Sequence, residues 1–188
     1  HSVLLTNKLI SIPGVTEQKI PAYISLGTTW ATAKGTSASN ADGGTWGGKK
    51  FTYRPDALTF DYQRNNDNGE ENAMAIAYLW KGTWTQANVP GSTTPFGKPK
   101  KCTMINRDRN ILNEPTSEGG TVTKDDDAAL IASFKYQISE STDGDWETIT
   151  IPFDYKTNDI PENINIIFSA NDYFGDRTKI VGGNTLTI

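Results

Sequence analysis

Among the side chains here that could do chemistry, the aromatic rings stand out. The sequence holds five tryptophans and seven tyrosines. Flat rings stack on the C–H faces of neutral sugars, while planar polar side chains reach the hydroxyls. Three rings fall in segments where core packing does not readily explain them. Trp46 stands alone in Gly43-Gly44-Thr45-Trp46-Gly47-Gly48, Trp84 follows Lys81-Gly82-Thr83, and Tyr173 lies in Asn171-Asp172-Tyr173-Phe174-Gly175. Each has two readings. It is either a platform for a ligand, with Asn171 and Asp172 as polar partners beside Tyr173, or a lid folded over the end of the domain. Exposed aromatic patches are uncommon without a partner, which keeps the platform reading in play. Trp30, Trp80 and Trp146 are assigned to the core.

Arg54 also has two readings. Its guanidinium offers a planar fork of donors to a sugar or carboxylate, or it pairs with Asp56 or Asp61 and fixes a bend at Pro55. Asp125-Asp126-Asp127, and Asp143 with Asp145, could supply oxygens to calcium. Neither run shows an EF-hand pattern, and acids flanking a strand commonly guard an edge. Catalysis has little to stand on. The only histidine is His1, so a Ser-His-Asp triad or a histidine metal site has no internal member. A glycosidase needs only two carboxylates, but among 22 acidic residues spacing singles out no pair.

Length and charge narrow the classes further. The 188 residues suit one domain with a sizeable core. A net charge of −4 and a pI near 5.0 leave no basic surplus for nucleic acid or an anionic membrane surface. A lone cysteine, Cys102, excludes an internal disulfide and a cysteine zinc site. The longest apolar run, Ala73 to Trp80, is too short to span a bilayer.

The elements that must position these residues are strands. In Phe51 to Tyr62, Leu58, Phe60 and Tyr62 share one parity while Thr59, Asp61 and Gln63 take the other, the pattern of a half-buried strand. Arg54-Pro55-Asp56 breaks its start. A second stretch answers it: Ile149, Ile151, Phe153 and Tyr155 share one parity, and Trp146, Thr148 and Thr150 the other. Ala73 to Trp80 is apolar on both parities, which suits a central strand covered on both faces. Leu130, Ala132, Phe134, Tyr136 and Ile138 are expected to face inward on a further strand, and Thr142-Asp143-Gly144-Asp145 to form a hairpin-type turn. Ser2 to Ile12 reads as one strand, another falls within Ile20 to Trp30, and others are expected near Thr103 to Ile105, at Ile164 to Ser169 and from Thr185. Thr32 to Gly48, Arg64 to Asn72 and most of Lys81 to Thr123 read as loops. The sum is an all-β, antiparallel sandwich or barrel, with Phe60, Ile76, Phe134, Ile151 and Phe168 expected in one core.

Two blocks are distinctive, Phe51-x-Tyr53-Arg54-Pro55-x-x-Leu58-x-Phe60-x-Tyr62 and Trp146 through Ile151-Pro152-Phe153-Asp154-Tyr155. With Ala75-Ile76-Ala77-Tyr78-Leu79, Ile166 to Ala170 and Gly182 to Leu186, they resemble the bacterial family called "putative carbohydrate metabolism domain". The likeness covers about Ser2 to Ile188. It implies a single jelly-roll sandwich of the galactose-binding-like kind, clipped at both ends relative to the family, on an exported or cell-surface protein with other domains. The arginine beside the proline recurs in the family motif, which favours the structural reading of Arg54. The expected activity is non-catalytic glycan recognition, with an oligosaccharide as partner and neither nucleic acid nor membrane insertion. A two-carboxylate glycoside hydrolase and a structural or adhesin domain without a small ligand are the alternatives.

Overall fold

The computed structural model describes residues 1–11, 13, 17–32, 42–87, 104–105 and 121–188, without the side chains of 18, 30–32, 42–44, 46, 84–87, 104–105, 121–124 and 177. Most of the expected loop between Lys81 and Thr123, with Cys102, lies outside these residues.

Among the described residues seventeen strands run in chain order: β1 (Leu4–Thr6), β2 (Lys8–Ile10), β3 (Gln18–Ile20), β4 (Tyr23–Ser25), β5 (Thr28–Thr32), β6 (Asp42–Trp46), β7 (Lys49–Lys50) and β8 (Ala57–Asn65). There follow β9 (Ala73–Lys81), β10 (Trp84–Ala87), β11 (Met104–Ile105), β12 (Thr121–Lys124), β13 (Ala129–Ile138), β14 (Glu147–Pro152), β15 (Asp154–Tyr155), β16 (Asn163–Ser169) and β17 (Thr185–Thr187). No α-helix occurs among the described residues, and no helix there is long and apolar enough to cross a membrane. Every strand pairing is antiparallel.

Two sheets pack face to face in a sandwich-like arrangement. One has the order β1-β17-β8-β14, and the other β15-β13-β9-β16-β4 with β7 added on β16. Between them Ala75, Ala77 and Leu79 of β9 meet Phe134, Ile151 and Phe153, with Leu58, Phe60, Ile149 and Phe168 at the margins. Phe60 meets Phe168 edge-on at 4.8 Å between centroids, and Phe134 lies 5.2 Å from Phe153. β9 is buried on both faces, as its unbroken apolar run requires. Ile76 therefore leaves the expected single core. It joins Met74, Tyr78 and Trp80 in a second cluster on the opposite face, with Leu130, Ile167 and Tyr173.

The expected inward row of β13 is also corrected. Its register against β9 slips between Leu130 and Ala132. A bulge of this kind gives two residues to one partner and reverses the faces beyond it. Leu130 thus joins the second cluster, and Ile131 joins the sandwich core. Tyr136 is partly exposed, because β15 pairs only with Ala132 and Ser133 and leaves β13 an edge beyond them.

Ser2 to Ile12 does not form one strand. It breaks at Asn7, whose buried side chain donates to Glu71 and to the Ala170 carbonyl and accepts from Ala22 N–H, so β1 and β2 enter different sheets. The glycine-rich loop expected around Trp46 is in part a strand, with β6 between β5 and β11. Tertiary pairing overrides weak strand propensity there: Thr45 is buried, and its hydroxyl accepts a 2.9 Å bond from Asn165. Gly82, with φ +73°, ends β9, and a Cβ there would meet Ala128 at 2.6 Å.

Phe134→Ala should cost about 3–5 kcal/mol in denaturant unfolding, since it opens a cavity between the sheets. A change below about 1 kcal/mol would remove Phe134 from the core.

Candidate functional site

The outward side of the β1-β17-β8-β14 sheet is where polar side chains gather. Along β8, Phe60, Tyr62 and Arg64 turn inward, so Thr59, Asp61 and Gln63 turn out. β14 runs beside it in the register Thr148↔Asp61 and Thr150↔Thr59, which places four polar side chains on one face. Thr148 Oγ1 donates to Asp61 Oδ1 at 2.6 Å, and the Thr59 and Thr150 hydroxyls lie 2.8 Å apart.

Trp146 stands at the head of this face. The sequence assigned it to the core, and that assignment is corrected: its ring is 52% exposed. Its parity is that of Thr148 and Thr150, the polar side of β14. The turn before it does not form a hairpin. Asp143 (φ 51°) and Gly144 (φ 91°) adopt the left-handed pair of a tight turn closed by Asp145 N–H on the Thr142 carbonyl, and the turn carries the chain from β13 in one sheet to β14 in the other. Ser141 Oγ and Thr142 N–H both donate to the Arg64 carbonyl, and Gln63 Nε2 donates to the Gly144 carbonyl at 2.6 Å. These bonds tie the turn to β8 and aim Trp146 outward.

Trp146, Asp61, His1, Ser2 and Ile188 line a shallow groove of about 470 Å³. Among the described residues, Asp61 is its single carboxylate side chain. Glu147 is adjacent in sequence but of the opposite parity, and it accepts a 2.7 Å bond from Tyr62 Oη instead. Burial, then that bond and the Glu147 charge, push the Tyr62 hydroxyl up to about 12.

The expected site residues do not converge on this face. Tyr173 is only 1% exposed, its ring edge-on to Tyr23 and Phe174 and its hydroxyl accepting Thr45 N–H at 3.0 Å. A ring so enclosed presents no face to a ligand. Asn171 is buried, accepting from Ser169 Oγ and donating to the Asp172 carbonyl, while Asp172 accepts Phe174 N–H. The Asn171–Phe174 segment thus closes on itself.

Arg54 clasps the backbone of the segment after β15. It donates to the carbonyls of Thr157 and Asp159 and lies 4.1 Å over the Tyr155 ring, whose hydroxyl donates to the Pro55 carbonyl. The carboxylate partner expected from Asp56 or Asp61 is replaced by carbonyls and a ring face. Trp46 and Trp84 have backbone in β6 and β10, but their rings, like that of Trp30, lie outside the described side chains. Asp125, Asp126 and Asp127 are exposed in the turn before β13. Among the described residues no three His, Cys, Asp or Glu side chains are placed to hold a metal. Tyr53 is 75% exposed, with its near neighbour Phe51 edge-on.

Compared with known proteins, the sequence matches no family model, and no curated protein matches it.

Two outcomes follow from these contacts. The folded Tyr62 holds its proton to about 12, above the ordinary tyrosine value of 10.0, so the native state binds more protons between those values. Its contribution to stability is complete below pH 10 and fades as pH rises towards 12. Tyr62→Phe should flatten the loss of stability across that alkaline window in denaturant melts at stepped pH, and an unchanged slope would refute the assignment. Arg54→Ala should lower Tm by about 2–4 °C while leaving any glycan affinity of the folded protein intact. Lost binding at an unchanged Tm would make Arg54 a ligand residue instead.

Proposed function

We propose that this protein is a non-catalytic glycan-binding domain that holds its ligand on the Trp146 face. The observation that carries the reading is an exposed indole flush with an ordered polar sheet face. A flat ring beside hydroxyls already fixed by hydrogen bonds is the arrangement that suits a sugar, its C–H face on the indole and its hydroxyls on the polar groups. Trp146 supplies the stacking surface, and Asp61 accepts from ligand hydroxyls. Thr148, Thr59 and Thr150 donate and accept around it.

The sandwich-like all-β architecture agrees with a jelly roll of the galactose-binding-like kind. The resemblance of the Arg54-Pro55 and Trp146–Tyr155 blocks to the carbohydrate-metabolism-domain family points the same way, and with it to an exported or cell-surface parent protein carrying other domains. The hydrolase alternative calls for two carboxylates, and among the described residues the groove offers the Asp61 side chain alone. An adhesin or stalk role would leave the exposed indole without an occupant.

Trp146→Ala should abolish retention on a glycan array while changing Tm by no more than about 2 °C. A wild-type protein that retains no glycan, or a variant that binds as well as wild type, would overturn the reading.

A further inference from the structure

The surface around Trp146 also constrains what kind of glycan lies on it. We propose that the ligand is an extended, uncharged polysaccharide chain bound along the β8–β14 ladder, and not a chain end or an anionic glycan. The proposal rests on the glycan-binding reading above.

Shape is the first argument. Recognition of a terminal sugar needs walls that close around it. The outward positions beyond Trp146 carry the short side chains Thr148 and Thr150, with Thr59 and Asp61 opposite. The two strands pair over six positions, Glu147↔Tyr62 to Pro152↔Ala57, roughly 20 Å of continuous surface at about 3.4 Å per residue. That is room for several sugar units in a row, with Trp146 at one end.

The second argument is the state of the hydroxyls. Thr59 and Thr150 hold each other at 2.8 Å, and Thr148 is held by Asp61 at 2.6 Å. A hydroxyl has one donor and two acceptor sites, so each keeps capacity for a ligand while its rotor is already fixed. Groups spread along the ladder in this way match hydroxyls repeated along a chain.

Charge is the third. On the outward positions of β8, β14 and β17 the sole ionisable side chain is Asp61. Asp143 and Asp145, both exposed, add negative charge beside Trp146. No cation stands on these strand positions to pair with a carboxylate or sulfate, and the acids repel them; the basic groups nearest the ladder are those of His1 in the groove lining.

The test uses affinity electrophoresis of the whole chain through xyloglucan, mixed-linkage β-glucan and galactomannan, with polygalacturonate and chondroitin sulfate as anionic probes. At least one neutral polymer should retard the protein, and neither anionic polymer should. Calorimetry with oligosaccharides cut from the retained polymer should show affinity rising about tenfold from disaccharide to hexasaccharide. Thr150→Ala, at the far end of the ladder from Trp146, should lose much of that rise. Affinity that is flat with length, or retention by an anionic polymer alone, would overturn this inference. If binding in either case is still lost in Trp146→Ala, the Trp146 reading survives; retention by no polymer would overturn both.

Discussion

A buried arginine sets the terms for this sandwich. Arg64 is 1% exposed, and a guanidinium taken out of water is costly unless acceptors surround it. The chain meets most of that demand with backbone, and Nε has no hydrogen-bond partner among the described residues. Arg64 donates to the carbonyls of Ala170 at 3.2 Å and Thr185 at 2.9 Å, and to that of Glu71. Burial pulls its pKa down and pushes that of Glu71 up, each opposed by the other's charge. Glu71 in turn accepts from Asn7 at 3.1 Å and from Val181 N–H at 3.0 Å. One side chain thereby fixes the entry to β9, the exit of β16, the start of β17 and the break between β1 and β2. Its own backbone, bonded to Ser141 and Thr142, holds the turn that presents Trp146. The Trp146 face is thus anchored from beneath by a polar network that never reaches it.

The remaining layers follow from β9. A strand apolar on both faces needs cover on both, so the six-stranded sheet carries one core against β8 and β14 and a second against Tyr23, Tyr173 and Phe174. The second cluster includes polar groups. Asn165 bonds Thr45, while Asn165 Oδ1 and Tyr78 Oη have no partner among the described residues. The outer sheet has no second apolar face, and its outward side is free to be polar.

How much of this the sequence carried depended on whether a feature was local. Parity alone placed Leu58, Phe60 and Tyr62 inward and identified β14 and the doubly buried β9. The same parity, extended by one residue, would have kept Arg64 on the buried side of β8, but charge and the Asn/Asp-rich segment after it suggested a loop. Trp146 is the mirror case: it shares the polar parity of Thr148 and Thr150, which places it on the outward side and not in the core. Parity was the stronger signal in both cases, because a side chain cannot change faces without shifting the register of its strand. The bulge at Leu130–Ala132 and the break at Asn7 left no such local mark. Each depends on partners far along the chain. The carbonyl clasp of Arg54 is equally non-local, since its partners lie more than a hundred residues away.

Where the ligand sits is the central claim, and tryptophan indole N–H resonances report it directly. The five tryptophans give five resolvable side-chain signals in a ¹⁵N-edited spectrum, each assignable by single substitution to phenylalanine. Titration with a retained oligosaccharide should shift the Trp146 indole together with the backbone amides of Thr148 and Thr150, leaving the buried Trp80 unmoved. Shifts centred on Trp46 or Trp84, with Trp146 silent, would place the binding site elsewhere and contradict the account.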